Sequence, residues 1–280
     1  MKLGYSTWGM PTLPIDQAVA HIAALGFDGI EIAVGAEWTT SLDRLDAAER
    51  RRILGLLQQY GLTLSAIAGH ASLLEQDAAA HAANVARLKA TIDLAVDWAR
   101  DGEPPFVNTL SGGRTADWEA QHRLFADRLA EIVAYTEGRG VILAMEPHVD
   151  GLVDTPERML AILKLVDSPY LRVNFDISHF DILGMPTAES VAALVPYSVH
   201  THVKDQRGRY PDYEFLIPGE GDFDYVDYLL TMQAHGYDGF INAEVSKMVQ
   251  RRPGYDPLAA ATLSYRTLDE AFRRAGIERK

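Results

Sequence analysis

The chain contains no cysteine, and this absence excludes several kinds of protein. Disulfide-stapled folds, zinc sites built on thiolates and cysteine nucleophiles all require that residue. The sequence also lacks any run of about 18 uninterrupted apolar residues, and its first residues do not resemble a secretory signal. We therefore expect a soluble, cytoplasmic protein that does not interact with a membrane.

Positive charge is scarce relative to negative charge. The chain has 26 Lys and Arg against 39 Asp and Glu, which gives a formal net charge of −13 at pH 7. A protein that binds nucleic acid usually presents a basic surface to the phosphates, so we expect no nucleic-acid partner. A small neutral or singly anionic substrate is compatible with this charge.

A short apolar or β-branched run followed by a longer amphipathic segment recurs eight times along the 280 residues. Eight such units in a chain of this length, with no break in composition, are typical of a (β/α)8 barrel. We therefore predict an α/β protein with the TIM-barrel fold and a single domain over residues 1–280. The predicted strands lie within residues 3–8, 29–34, 62–69, 106–113, 141–148, 171–179, 199–205 and 239–246.

Local signals agree with helices between the strands and with a closed sheet. Thr155-Pro156 and Asp256-Pro257 each pair a helix N-cap residue with proline at the first helical position. An open, doubly wound sheet would favour a glycine-rich dinucleotide motif after the first strand, and none follows it here.

Four residues of metal-ligand type stand at the ends of the last four predicted strands. The intervals between them are 30, 26 and 42 residues, for Glu146, Asp176, His202 and Glu244 in that order. TIM-barrel enzymes place their active sites at the carboxyl ends of the strands, so these side chains are expected to meet at one rim. Three carboxylates and a neutral imidazole suit one divalent ion, with Mn²⁺ first and Mg²⁺, Co²⁺ or Zn²⁺ as alternatives. In the simpler alternative, Glu146 and Glu244 are polar rim residues and Asp176 caps a helix.

Five strings of residues are similar to the xylose isomerase-like TIM-barrel superfamily of sugar isomerases and epimerases. They are AMEPH (144–148), NFDISH (174–179), HTHVKD (200–205), PGEGDFDY (218–225) and GYDGFINAEVS (236–246). The resemblance implies that Glu146, Asp176, His202 and Glu244 hold the metal. His202 is chosen over His200 because the second histidine of His-x-His is usually the ligand. We expect His200 to lie one layer deeper, as a hydrogen-bonded core residue.

The resemblance also implies a reaction on a small carbohydrate. Enzymes of this kind move a proton at the carbon next to a carbonyl through an enediolate, and the metal makes that proton acidic. Glu146 and Glu244 are the expected base and acid. Two carboxylates on opposite faces of the carbon would give epimerisation, whereas one carboxylate shuttling the proton would give aldose–ketose isomerisation. The sequence leaves both outcomes open.

Further residues are expected to bind the substrate or to support the site. His179 follows Asp176 by three residues, and Lys204 shares a strand face with His202, with Asp205 expected to hold it. Glu220 is expected either to support the metal or to belong to a turn in which Asp222 caps the next helix. The remaining substrate-binding candidates are Arg207 or Arg209, Trp8, His70, Asn108 and His148.

Residues 111–114, Ser-Gly-Gly-Arg, form a glycine-rich segment before a predicted helix. Such a turn can cradle a phosphate with backbone N–H groups. A plain turn with Thr115 as the helix N-cap explains the same residues, so this segment leaves open whether the substrate is a sugar or a sugar phosphate.

Three other functions are compatible with parts of the pattern. A metal-dependent dehydratase of a keto-inositol or polyol would begin with the same proton abstraction. An apurinic endonuclease of the same superfamily would bind three zinc ions, but Asn108 and Leu216 stand where those enzymes have histidines. A sugar-binding barrel without activity would not need the carboxylate pair. A homo-oligomer is compatible with the sequence.

Overall fold

The predicted strands pair in parallel and close into one barrel in the computed structural model, which describes residues 1–113 and 117–280. Each barrel strand overlaps its predicted run, and the last pairs with the first to complete the ring. The (β/α)8 prediction is confirmed. The strands are β1 (Lys2–Ser6), β2 (Gly29–Ala33), β3 (Thr63–Ala68), β4 (Phe106–Leu110), β5 (Leu143–Glu146), β6 (Leu171–Asp176), β7 (Ser198–Val203), β8 (Asp205–Arg209), β9 (Asp212–Leu216) and β10 (Phe240–Ala243), of which all but β8 and β9 belong to the barrel.

Helices pack around the barrel, and their apolar faces complete a core between the two layers. They are α1 (Ile15–Leu25), α2 (Ala47–Tyr60), α3 (Ala78–Asp97), α4 (Trp118–Glu137), α5 (Pro156–Val166), α6 (Ile177–Ile182), α7 (Thr187–Leu194), α8 (Tyr225–Ala234), α9 (Lys247–Gln250) and α10 (Pro257–Ala275). No helix formed by the described residues is long and apolar enough to cross a bilayer.

Side-chain caps determine where several helices begin. Thr155 and Asp256 accept hydrogen bonds from the backbone N–H groups of α5 and α10, as predicted from the proline that follows each of them. The N-cap of α4 is Asp117, whereas Thr115 was the predicted cap. Thr115 and Arg114 lie outside the described residues.

The sequence did not predict β8 and β9, which form an antiparallel hairpin directly after β7. The two strands pair from Asp205 with Leu216 to Arg209 with Asp212. β8 carries Gln206, Arg207 and Arg209, so it has no apolar run that would indicate a strand. The hairpin adds a wall at the carboxyl rim of the barrel.

Asp205 anchors the loop after the hairpin and does not hold Lys204, contrary to the prediction. Its carboxylate accepts hydrogen bonds from the backbone N–H groups of Gly219 (2.9 Å), Gly221 (3.0 Å) and Phe223 (3.2 Å). A Cβ atom on Gly221 would collide with this carboxylate, and Gly219 has a φ of +107°. The glycines of the Gly-Glu-Gly motif therefore allow the loop to close around Asp205.

Two other predictions about this loop were wrong. Glu220 is exposed and forms a salt bridge of 2.6 Å with Arg252, so it does not support the metal candidates. The cap of α8 is Asp224, which accepts hydrogen bonds from the N–H groups of Val226 and Asp227, and not Asp222.

Candidate metal centre and active-site cavity

The structure brings Glu146, Asp176, His202 and Glu244 together at the carboxyl rim of the barrel. Asp176 is the register partner of His202, and the backbone N–H of Glu244 donates to the carbonyl of Val203. All four side chains are buried, and one ligand atom from each lies within 4.8 Å of all the others. These four residues are far apart in the sequence, and they form a compact cluster because the sheet closes.

The imidazole of His202 lies beside both glutamates of this cluster. Its Nδ1 is 3.3 Å from Glu146 Oε2 and 3.7 Å from Glu244 Oε1. Asp176 also caps α6 by accepting the Ser178 N–H at 3.0 Å, so the simpler sequence alternative describes one of its contacts. A cap and a ligand are compatible because the second oxygen, Oδ2, faces Lys204.

Among the described residues, Lys204 is the lysine or arginine whose side chain contacts this cluster. Its buried ammonium contacts Asp176 and lies 2.5 Å from Glu244 Oε2. Burial alone would lower the pKa of Lys204, but the carboxylates of Asp176, Glu244 and Glu146 raise it well above its usual value. Lys204 is therefore a fixed positive charge.

The donor set fits a divalent cation. When His202 is neutral, as a metal ligand must be, three carboxylates and one ammonium leave two formal negative charges in excess at a buried position, and a divalent ion would neutralise them. Burial would raise the pKa of Glu146, yet its hydrogen bonds with His179 and His202 hold that pKa well below its usual range. Carboxylate oxygens and an imidazole nitrogen are ligands that Mn²⁺, Mg²⁺, Co²⁺ and Zn²⁺ share.

A cavity of about 410 Å³ opens above the cluster, and Glu146 and Glu244 form part of its floor. Trp8 stacks on Trp38 with ring centroids 4.3 Å apart, and His70 meets the edge of Trp8 at 4.9 Å. Five of the predicted substrate-binding residues line the cavity, namely Trp8, His70, His148, His179 and Lys204.

The structure places three of the substrate-binding candidates away from this cavity. Asn108 is fully buried inside the barrel, where its side-chain amide donates to Glu31. Arg207 points to solvent and pairs with Glu214 at 2.8 Å across the hairpin, and Arg209 pairs with Asp181 in the same exposed region. Neither Asn108 nor either arginine contacts the cavity in this structure.

His148 and His179 form an imidazole pair against one wall, with ring centroids 4.0 Å apart. His148 Nδ1 donates a hydrogen bond to the carbonyl of Val149, and His179 Nε2 lies 3.2 Å from Glu146 Oε1. Burial and the neighbouring His179 lower the pKa of His148 to about 3. His148 is therefore neutral at neutral pH and offers Nε2 as an acceptor.

This depressed pKa predicts that His148 makes folding less favourable as the solution becomes acidic. Between about pH 6.5 and pH 3 the unfolded chain binds a proton at His148 that the folded chain does not, so stability falls with falling pH. We expect the unfolding free energy of wild type to lose up to about 1.4 kcal/mol per pH unit relative to His148→Gln in this range. Urea denaturation of both proteins at pH 7, 6 and 5 measures this difference, and a constant difference would contradict the prediction.

Sequence reasoning missed several residues of the site. Tyr213 and Phe215 line the cavity from the unpredicted hairpin, and Lys247 and Arg251 lie at its margin. Glu31 on β2 is fully buried and contacts the metal candidate His202 from below. A single carboxylate in the middle of the apolar run Gly-Ile-Glu-Ile-Ala was the signal that could have identified Glu31.

Fold and site together define a (β/α)8 barrel with a carboxylate and histidine cluster under a cavity at its carboxyl rim. A family model described as xylose isomerase-like TIM barrel matches residues 19–266. The chain belongs to this family, as the sequence resemblance implied.

Named relatives include sugar epimerases. Fructoselysine 3-epimerase of Shigella flexneri is 26% identical over 259 residues, which are 90% of this chain and 93% of that one. An uncharacterised protein of Methanocaldococcus jannaschii is 38% identical over 122 residues, and this match spans only 41% of either protein. An inosose dehydratase and putative hydroxypyruvate isomerases are also similar to this chain.

Solved structures match the whole barrel. The crystal structure of the IOLI protein with a bound zinc atom has a TM-score of 0.79 at 19% identity, covering 98% of this chain and 99% of that one. At this identity the likeness establishes the fold. The named relatives in these comparisons include epimerases, isomerases and a dehydratase.

Proposed function

We propose that the protein is a divalent-metal-dependent sugar epimerase or isomerase. The observation that carries this proposal is the pair of glutamates, Glu146 and Glu244, which both line the cavity and stand at the ends of the outer two of the four neighbouring strands that supply the ligand set. The full-length similarity to fructoselysine 3-epimerase supports a ketose or a ketose derivative as substrate. Mn²⁺ is our first choice of ion, with Mg²⁺, Co²⁺ and Zn²⁺ as alternatives.

A bound ion would polarise the substrate carbonyl and so make the neighbouring C–H acidic. Glu146 or Glu244 then takes that proton, and the C–H electron pair becomes part of the enediolate C=C bond while the carbonyl oxygen gains negative charge. The opposite carboxyl group returns a proton to the other face of the carbon, which inverts it. The same carboxylate would instead deliver the proton to the adjacent carbon in an aldose–ketose isomerisation.

Three side chains near the two glutamates are suited to binding a carbohydrate. Lys204 holds Glu244 at 2.5 Å and presents a positive charge to an oxygen that becomes negative in the reaction. His179 is 3.2 Å from Glu146 and lines the cavity, so it can orient both that carboxylate and a substrate hydroxyl. Trp8 offers an apolar ring against which the carbon face of a sugar can pack.

The test is a panel of ketoses and aldoses incubated with the Mn²⁺-loaded protein in deuterated water. We expect deuterium at the carbon next to the carbonyl and the appearance of an epimer or isomer in proton NMR spectra. Loss of water from a keto-inositol or another polyol, without an isomer, would favour the dehydratase alternative. No deuterium uptake from any member of the panel would contradict the proposed chemistry.

The endonuclease alternative is disfavoured by two side chains. Asn108 donates to Glu31 inside the barrel, and Leu216 is a buried apolar residue at the end of β9. Neither supplies the additional histidine that a three-zinc site needs. We therefore propose one metal ion per chain and no nucleic-acid substrate.

A further inference from the structure

Glu31 lies inside the barrel beneath the candidate metal centre and is fully buried. Its carboxylate faces four donors on three other strands. His200 Nε2 is 2.9 Å and His202 Nε2 is 3.0 Å from Glu31 Oε2, and the hydroxyl of Ser6 and the amide of Asn108 also donate to the carboxylate. Because β2 and β7 are not neighbours, these contacts cross the interior of the barrel.

The two nitrogens of His202 face different surroundings. Nε2 points down to Glu31, whereas Nδ1 points to Glu146 at 3.3 Å and to Glu244 at 3.7 Å. The side-chain amide of Asn174 is 3.1 Å from Nδ1 and supplies a donor on that side. Nδ1 therefore lies where a cation among the carboxylates would displace a proton, whereas the acceptor next to Nε2 keeps the remaining proton of the imidazole on Nε2.

We propose that Glu31 is a positioning residue that fixes His202 as a metal ligand through Nδ1. By accepting the Nε2–H, Glu31 holds the imidazole in one tautomer and one orientation, with the Nδ1 lone pair directed at the cluster. This inference rests on the metal site in the proposed function. Glu31 touches neither the cavity nor the other ligand candidates, so it acts only through His202.

The remaining donors explain how a carboxylate is tolerated at a fully buried position. An unpaired buried carboxylate is strongly destabilising, but Ser6, Asn108 and His200 satisfy the lone pairs that His202 leaves. They also hold Glu31 from several directions, so its own position is fixed. The hydrogen bonds inside the barrel thereby fix the orientation of His202 at the rim.

Glu31, His200 and His202 could alternatively hold a second ion of their own. Their nitrogen and oxygen atoms are already at hydrogen-bond distances of 2.9–3.1 Å from each other, which direct contact explains without an ion. A second metal would make Glu31 a ligand and would overturn the positioning role.

Nitrogen-15 NMR of histidine-labelled wild type, loaded with Zn²⁺, tests the tautomer directly. We expect His202 to retain a slowly exchanging proton on Nε2 and to show the shift of a metal-bound nitrogen at Nδ1. A proton on Nδ1, or two zinc ions per chain, would overturn the inference while leaving metal binding intact. Failure of the wild type to bind Zn²⁺, Mn²⁺, Mg²⁺ or Co²⁺ would overturn both this inference and the proposed metal site.

The variant Glu31→Gln keeps the size of the side chain but removes its charge and one acceptor. We expect its affinity for Zn²⁺ or Mn²⁺, measured by competition with a chelating dye, to fall by about 10–100-fold. Thr109→Val is the matched control, because Thr109 is buried on β4 and its hydroxyl has no hydrogen-bond partner among the described residues. Equal affinities for folded Glu31→Gln and wild type would contradict the inference, and if that variant does not fold, the wild-type NMR spectrum decides.

Discussion

Glu146→Gln and Glu244→Gln are each expected to lower turnover by about 10²–10⁴-fold, the range that general acid–base groups contribute. Glutamine keeps the length of the side chain and one oxygen ligand, but it cannot accept a proton from carbon. Both residues line the cavity and are metal-ligand candidates, so the loss of turnover should appear in kcat. Steady-state kinetics on the substrate found in the deuterium assay measures it.

Structure and metal content must be measured in the same proteins. Each variant is expected to keep the wild-type circular dichroism spectrum and to bind metal, because three of the four ligand candidates are unchanged. Glu220→Gln is a suitable control, since Glu220 is an exposed glutamate that pairs with Arg252 and is expected to leave kcat within about twofold. Wild-type turnover in either Glu146→Gln or Glu244→Gln would exclude the proton-transfer role of that residue.

Removing the metal is expected to abolish turnover reversibly. Dialysis against a chelator should reduce activity to background, and one equivalent of Mn²⁺ per chain should restore it. The melting temperature should fall as well, because an ion that binds only the folded state at 100 times its Kd contributes about 2.7 kcal/mol. Full activity in chelated protein with less than about one-tenth of an equivalent of metal would contradict a metal-dependent reaction.

The same metal binding should weaken as the pH falls. Burial alone would lower the pKa of His202, but Glu31 and Glu244 raise it well above its usual value in the absence of an ion. A metal ligand must be unprotonated, so the ion has to displace this proton, and protons compete more strongly at low pH. Chelator titrations at several pH values should therefore show a rising Kd with increasing acidity.

The barrel and the cluster at its rim could be predicted because both follow from local periodicity. Glu146 and Asp176 end short apolar strands, and the strands of a closed sheet direct such residues to one rim. Asn108 was predicted to bind the substrate, but it is the third residue of β4 and donates to Glu31 inside the barrel.

Other features depend on contacts between distant segments. Glu31 meets His200 and His202 across more than 160 residues of sequence, and no local pattern encodes that contact. Arg207 points outward because β8 pairs with β9, and the polar residues of β8 gave no signal of a strand. These positions required the three-dimensional structure.

The hairpin of β8 and β9 forms part of the cavity wall but carries none of the metal-ligand candidates. Tyr213 and Phe215 form a wall of the cavity, while the ligand candidates stand on barrel strands with which the hairpin does not pair. Asp205 fastens the loop that follows the hairpin. Exchange of residues 206–214 is therefore expected to reshape the cavity wall, provided that Phe215 is kept, because its ring packs against His179 and Lys204.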